Sequence, residues 1–592
     1  MEQWVIKGKH GVDANELGID MKLNPLICRI LINRGITNVK DMNKFIHPTI
    51  KDLYSGTLMK DLSKAVGIII ESIKKEENIL IVGDYDVDGV SSTYILYKAL
   101  SRLGAKVSFH IPDRVTEGYG INEAIIRNAY KNKIDLILTC DNGIAAIEQV
   151  KLAKELSMKV IITDHHDIPF MINDGIKIWN IPQADAIVNH KQEDCKYPFK
   201  SLCGAGVVFK LIEELYKYYL VEKEELYEFL EIVAMATVCD VVELRGENRI
   251  IVKEGLRRIQ STSNLGLKAL IEETACKDKK ITTYSLGFVI GPCINATGRL
   301  ETASLSVELL LCDDEIKAKE SAKRLVELNK NRQDLTMMGV EKTIDIIEKS
   351  SMQKNKIIVV YLEGVHESIA GIIAGRIKER YNLPTIILTK VHNGVKGSAR
   401  SIELYNIYEE LSKCKELLGK FGGHPMAAGL SLDFENIDLL RDKLNKNCTL
   451  RDEDVIPKII IDLRLPLSNA SLNFAEEIQS LEPFGTSVKK PCFAEKNIRI
   501  SSAKILGEKK NVLKLRIPLS FGKGIDAIYF GDIDKFIEDL TLEYGTYEVE
   551  KLFKGTPNCI FLDLVFNLNI NEYMDRKNPQ INIISYRVTR KI

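Results

Sequence analysis

Four apolar residues that run straight into a glycine and three alternating aspartates set the strongest constraint on how this chain folds. In ILIVGDYDVDGVSSTYIL, Ile79 to Val82 predict a buried strand, Gly83 ends it, Asp84, Asp86 and Asp88 follow, and Gly89 opens an amphipathic helix. Carboxylates placed just past a parallel strand project into the crevice where open α/β sheets bind ligands. Clustered there, they repel and raise one another's pKa unless a divalent cation neutralises them. A capping Asp in a polar turn explains one such residue; three within five positions point to a metal site.

The pattern recurs along the next hundred residues. Lys106 to Ile111 predicts a strand leading into PDRVTEGYG, Ile134 to Thr139 one ending in Cys140, Asp141, Asn142 and Gly143, and Lys159 to Thr163 one ending in Asp164, His165 and His166. Strands alternating with helices and handing over to polar residues predict βαβ units in a mostly parallel, doubly wound sheet. An apolar helix from Ile232 to Cys239 delivers a further acid, Asp240. Mixed carboxylate and imidazole ligation suits Mn²⁺ or Mg²⁺, with imidazole favouring manganese, whereas zinc more often recruits cysteine. Four or more carboxylates among Asp84, Asp86, Asp88, Asp141 and Asp240, with one or both of His165 and His166, suffice for two metals about 4 Å apart, a phosphoryl-transfer device. A histidine beside such ligands can contact a phosphate or protonate a leaving oxygen.

The rest of the composition narrows the class. With 82 basic against 82 acidic residues in 592, no global charge argues for nucleic acid, so such a partner rests on local patches. Twelve cysteines stand singly, without a C-x-x-C pair, as in a reducing compartment. The start, MEQWVIKGKH, lacks a signal-peptide core, and no apolar run approaches the roughly 18 residues of a spanning helix, so a cytoplasmic protein away from membranes is expected.

VGDYDVDG at 82–89, CDNG at 140–143, TDHH at 163–166 and ATVCDVVEL at 236–244 resemble the four motifs of the DHH phosphoesterase superfamily. Over nearly its whole length the chain is similar to the single-stranded-DNA-specific exonucleases of the RecJ family. That resemblance implies Asp86, Asp88, Asp141, His165 and Asp240 as ligands of Mn²⁺ or Mg²⁺, Asp141 and His166 in catalysis, and Asp84 in a supporting position. It implies 5′ to 3′ removal of 5′-mononucleotides from single-stranded DNA, a role in repair and recombination, and a single-stranded-DNA-binding protein and a RecQ-type helicase as partners. Two other readings stay open: a smaller DHH phosphoesterase acting on short oligoribonucleotides or cyclic dinucleotides, and a non-catalytic replication scaffold.

Substrate contacts are expected from four further segments. IPDRVTEGYG sets Arg114 and Tyr119 in a glycine-softened loop, a cation for phosphate and an aromatic for a base. GPCINATGRL at 291–300 is read as a glycine-bounded loop offering Arg299; the family commonly carries arginine where this chain has Cys293. KGSARS at 396–401 and FGGHPMAAGLS at 421–431 are read as small-residue turns whose main-chain N–H groups admit a phosphate. By their resemblance to the DHHA1 domain, Ser398 and Arg400 would hold the terminal phosphate and His424 would lie along the strand.

The expected architecture is α/β, with a helical region at 1–75, a DHH domain at 76–265 and a connecting region at 266–350. A DHHA1 domain at 351–455 and an OB-like β-barrel at 456–592 follow. The connecting region carries a charged amphipathic helix from Asp314 to about Glu348, roughly 50 Å long and able to join two domains. Five short alternating runs after Leu481, with Lys509, Lys510 and Lys514 in their turns, predict the barrel.

Overall fold

In a computed structural model the chain is described over residues 2–589, apart from 9, 10, 174, 175, 392, 393, 508, 520–522 and 575. It divides into two compact units, Ile50–Ile456 and a second made of Met1–Thr49 with Pro457–Ile592.

Within Ile50–Ile456 the apolar runs become strands, and in the first sheet all but the edge strand Lys106–His110 are buried on both faces. Lys106–His110, Asn78–Val82, Leu136–Cys140, Lys159–Thr163 and Ala186–Val188 lie side by side in that order, all parallel. Alternate residues serve opposite faces: Leu80, Val82, Ile137, Val160 and Ile162 pack with Ile125, Ile126 and Val150 of the helices covering one side. Sheet order reverses between Asn78–Val82 and Leu136–Cys140, so the chain leaves these neighbouring strands toward helices on opposite faces. That switch point opens the crevice into which both strand ends deliver their acids.

The helix Glu315–Lys349 is 35 residues long, about 52 Å, and is capped by Asp314, whose carboxylate accepts from the Ile316 and Lys317 N–H groups. Its first half packs on Leu265–Glu273 and Gly291–Leu300, its second on Glu367–Tyr381, so it joins the parallel-sheet layer to a second sheet. That sheet runs Phe421–His424, Ala427–Leu432, Gly394–Arg400, Thr385–Val391, Ile358–Leu362; the last two are parallel and the other pairs antiparallel.

Two expectations are corrected in this unit. GPCINATGRL is no loop: Gly291–Leu300 is a helix continuing from a wide turn at Leu286–Ile290, and the wide turn lies just where Pro292 has no N–H to give the ladder. KGSARS lies on the strand Gly394–Arg400 and is paired on both sides, so most of its main-chain N–H groups are spent in the sheet.

In the other unit, the parallel pairing of Gln3–Ile6 with Lys458–Ile461 ties the two ends of the chain together. The Arg34 guanidinium forks onto the buried Asp462 carboxylate at 3.0 and 3.3 Å, while Asn33 Nδ2 donates to the Asp462 carbonyl at 3.0 Å. Seven strands follow in the order Leu463–Arg464, Phe493–Arg499, Phe561–Tyr573, Arg576–Thr589, Gly524–Tyr529, Val512–Pro518, Ser502–Leu506. The helices Ile533–Tyr544 and Thr546–Lys554 interrupt them, a feature the alternating runs do not announce.

Candidate metal and substrate site

Asp86 stands at the N-cap of the helix Val87–Arg102 and accepts from the N–H groups of Asp88 and Gly89 at 2.9 and 3.1 Å. Asp88, inside the first turn and buried, accepts from the Gly204 and Ala205 N–H groups at 2.6 and 2.8 Å, at the start of the helix Gly204–Tyr218. A side chain at 204 would put its Cβ 2.8 Å from that of Asp141, so only glycine lets these elements meet. Asp141 follows its strand with φ 62°, a left-handed turn that aims the carboxylate back over the sheet. Asp240 caps the C-terminus of the apolar helix Leu230–Cys239.

These groups converge on His165. Its Nε2 lies 3.0 Å from Asp141 Oδ1 and 3.7 Å from Asp88 Oδ2, and its Nδ1 3.7 Å from Asp240 Oδ2. Three triads have ligand atoms within 4.8 Å of one another: Asp88, His165 and Asp240; Asp84, Asp86 and Asp141; Asp141, His165 and His166. Burial, then repulsion from neighbouring carboxylates, pushes Asp84, Asp88, Asp141 and Asp240 all above the ordinary range. Burial pushes His165 down, keeping its imidazole neutral and able to ligate. Asp84 Oδ1, Asp141 Oδ1 and Asp240 Oδ2 are buried without a hydrogen-bond donor. Such oxygens are costly unless a cation receives them.

His166 is held differently. Its Nδ1 is 2.7 Å from Asp164 Oδ1, which also accepts the His165 and His166 N–H groups, while Asp164 Oδ2 accepts from Ile144 N–H at 2.9 Å. Burial opposes protonation, but the hydrogen bond and charge of Asp164 outweigh it and raise His166 to about 9. Asp164 thus makes His166 a cation, a role that the TDHH motif does not announce. Tyr119 donates to the Asp141 carbonyl at 3.0 Å and sets its ring edge-on to His166, with centroids 5.9 Å apart.

Arg114 lies over the ring of Tyr85, 4.6 Å from its centroid, a contact the motif spacing does not reveal. Arg299, at the end of its helix, donates to the Ser368 carbonyl; burial, then the charges of Arg114 and Arg332, lowers it to about 9. Arg400 is lowered by burial and by Arg114. Loop, helix end and strand end therefore bring three arginines into mutual electrostatic reach. Beside them a cavity of about 440 Å³ is lined by Arg114, Ser368, Lys396, Ser398 and Lys420, among others. His424, exposed on its strand, adds to the charges that hold Asp167, the residue after His166, below its ordinary value, a shift led by the Lys191 hydrogen bond. Cys293 turns away from the cleft: it is buried, donates to the Val289 carbonyl at 3.2 Å and accepts from Asn329 of the long helix at 3.4 Å.

Comparison with known proteins gives three family matches. The DHH family, N-terminal domain, matches residues 78–237, the DHHA1 domain residues 354–449, and the RecJ OB domain residues 461–585. A single-stranded-DNA-specific exonuclease RecJ of Bacillus subtilis is 35% identical over 585 residues, covering 98% of this chain and 70% of the relative. One from Haemophilus influenzae is 32% identical, covering 95% and 96%. The chain belongs to the RecJ family. Among solved RecJ structures, the Mn²⁺ complex from Thermus thermophilus superposes with a TM-score of 0.81 at 25% identity, covering all of this chain and 80% of that one. An exonuclease RecJ bound to manganese matches with a TM-score of 0.58 at 31% identity over 67% of this chain and 96% of its own. As a RecJ family member the chain is a DHH phosphoesterase, a hydrolase with an OB domain at its C-terminus. Among the described residues no helix is long and apolar enough to cross a membrane.

Proposed function

We propose that this protein is a metal-dependent exonuclease that degrades single-stranded DNA from its 5′ end to 5′-mononucleotides, with Asp86, Asp88, Asp141, His165 and Asp240 as the metal ligands. The observation that carries the reading is the set of buried carboxylate oxygens without donors, Asp141 and Asp240 beside a neutral His165 and Asp84 beside Asp141. Oxygen and imidazole donors of this kind fit Mn²⁺ or Mg²⁺. When bound, two such ions lower the pKa of the attacking water and neutralise charge at the scissile phosphate.

The chain's own residues do the rest. His166, kept cationic by Asp164 at Nδ1, reaches toward a non-bridging phosphate oxygen and holds a proton at Nε2 for the leaving side. Asp84 supports the ligand cluster from beneath, and Tyr119 ties the loop to the Asp141 carbonyl while leaving half its ring exposed to a base. Arg114, Arg299, Ser398 and Arg400 bind the 5′-terminal phosphate, with the depressed pKa values of Arg299 and Arg400 marking a place where an anion is wanted. His424 follows the next phosphate. Expected partners are a single-stranded-DNA-binding protein and a RecQ-type helicase, and free thiols throughout the chain fit a cytoplasmic setting.

The test is incubation with Mn²⁺ and 5′-labelled single strand, matched duplex and short RNA oligomers. Early release of labelled mononucleotide from the single strand alone is expected. Hydrolysis confined to dinucleotides or short RNA would move the protein to the smaller-phosphoesterase class.

A further inference from the structure

The helix that carries Arg299 extends backward past the cleft. Thr283–Ser285, the wide turn Leu286–Ile290 and Gly291–Leu300 follow one another without a break. On its outer part Tyr284 and Phe288 are 66% and 68% exposed, yet stacked on each other with centroids 5.0 Å apart and planes 21° apart. Bare, parallel aromatic faces on a rigid element are uncommon on a protein surface without a partner. The element is fixed near its start. Ser285 N–H caps onto Thr282 Oγ1 at 3.4 Å, and Cys239 Sγ, next to Asp240, donates to the Leu286 carbonyl at 3.5 Å.

Two observations say what covers the pair. Tyr284 and Phe288 stand four residues apart on the outer part of the helix, and Asn295 and Arg299 four apart on the part that continues from it. Asn295 and Arg299 face the cleft, the first accepting from Val87 N–H at 3.2 Å, the second bonded to Ser368. The turn just before the pair carries Lys277 and Lys279, flanking Asp278, both exposed and without an ion pair among the described residues. Aromatic faces beside lysines, continuous with a phosphate-facing arginine, are how proteins hold single strands regardless of sequence.

We propose that Tyr284 and Phe288 form a stacking platform for nucleobases of the single strand on the 3′ side of the catalytic centre, an inference that rests on the single-strand reading above. Phe288 lies about 16 Å along the helix from Arg299, so the platform takes a nucleotide further along than the one whose phosphate Arg299 faces. The helix leads from Ser368 and the proposed 5′-phosphate contacts toward Tyr284, which sets the 3′ direction.

The test compares full-length wild type with two double variants, Tyr284→Leu with Phe288→Leu and Tyr284→Phe with Phe288→Tyr, each checked by circular dichroism. Affinities for 5′-phosphorylated dT3 and dT12 are measured by fluorescence anisotropy in EDTA, so that no hydrolysis intervenes. The leucine pair should weaken dT12 roughly tenfold or more, the aromatic swap should hold wild-type affinity, and dT3 should change little. Unchanged dT12 binding by the leucine pair, equal losses for dT3 and dT12, or an equal loss in the aromatic swap overturns the platform. Failure of the wild type to release mononucleotides with Mn²⁺ would sink the proposed function separately, since the binding comparison is read without turnover.

Discussion

Asp141 concentrates the electrostatic problem this fold sets itself. Its carboxylate is buried, faces Asp88 and Asp86, and sits 3.0 Å from a histidine that burial keeps neutral. Asp141→Ala should abolish Mn²⁺-dependent hydrolysis, by more than about a thousandfold, while leaving single-strand binding largely intact. The metal-free variant should melt no lower than wild type, because one repelling carboxylate is gone; full activity would remove Asp141 from the metal site. Glu231 gives a cleaner pH dependence, away from the ligands. Burial raises it from 4.5 to about 7, against the lowering effect of Thr262, which donates to it at 2.6 Å. Since the folded state binds this proton more tightly, its stabilising effect is complete below the unfolded value and is lost as pH rises through about 7. Glu231→Gln should therefore gain about 2–3 kcal/mol over wild type at pH 8 and almost nothing at pH 4, read from denaturant midpoints.

At the scale of elements, the long helix does the connecting. Its buried positions Ala318, Ala322, Leu325 and Leu328 face the catalytic layer, and Gly339, Thr343 and Ile347 face the second sheet's layer. The changeover follows its packing partners, since Gly339 leaves room for Ile373 of Glu367–Tyr381, whose Cδ1 would lie 2.4 Å from an added Cβ. Gly339→Leu should cost about 1–3 kcal/mol by overpacking and should raise KM for single strands more than it lowers kcat. An unchanged melting curve would mean that this crossing is loose.

For the molecule as a whole, the ends of the chain belong together. The pairing of Gln3–Ile6 with Lys458–Ile461 and the fork of Arg34 on Asp462 make Met1–Thr49 part of the C-terminal unit. Arg34→Ala would leave a buried carboxylate facing only the Cys492 N–H and the half-buried Lys7, at a cost of about 3 kcal/mol. In calorimetry the transition of that unit should fall by several degrees while the Mn²⁺-sensitive transition stays in place. A matching fall in both would show the two units melting as one.

The sequence by itself determined the strands ending at Val82, His110, Cys140 and Thr163, the helix that delivers Asp240 and the long connecting helix, because period-two and period-3.6 burial are local patterns; it missed the strand Gln3–Ile6, read as part of a helical region, whose partner Lys458–Ile461 lies at the other end of the chain. It also placed the acids at the ends of separate strands, which a doubly wound sheet brings to one crevice. Only the tertiary structure decided which oxygens meet. Asp164 became the anchor of His166, Tyr85 the seat of Arg114, and Cys293 a packing residue against Asn329, all through contacts that motif spacing does not record. It also turned two glycine-bearing stretches, read as loops, into a helix and a fully paired strand. Local composition records conformational freedom, while burial and hydrogen-bond partners, supplied from elsewhere in the chain, select one conformation.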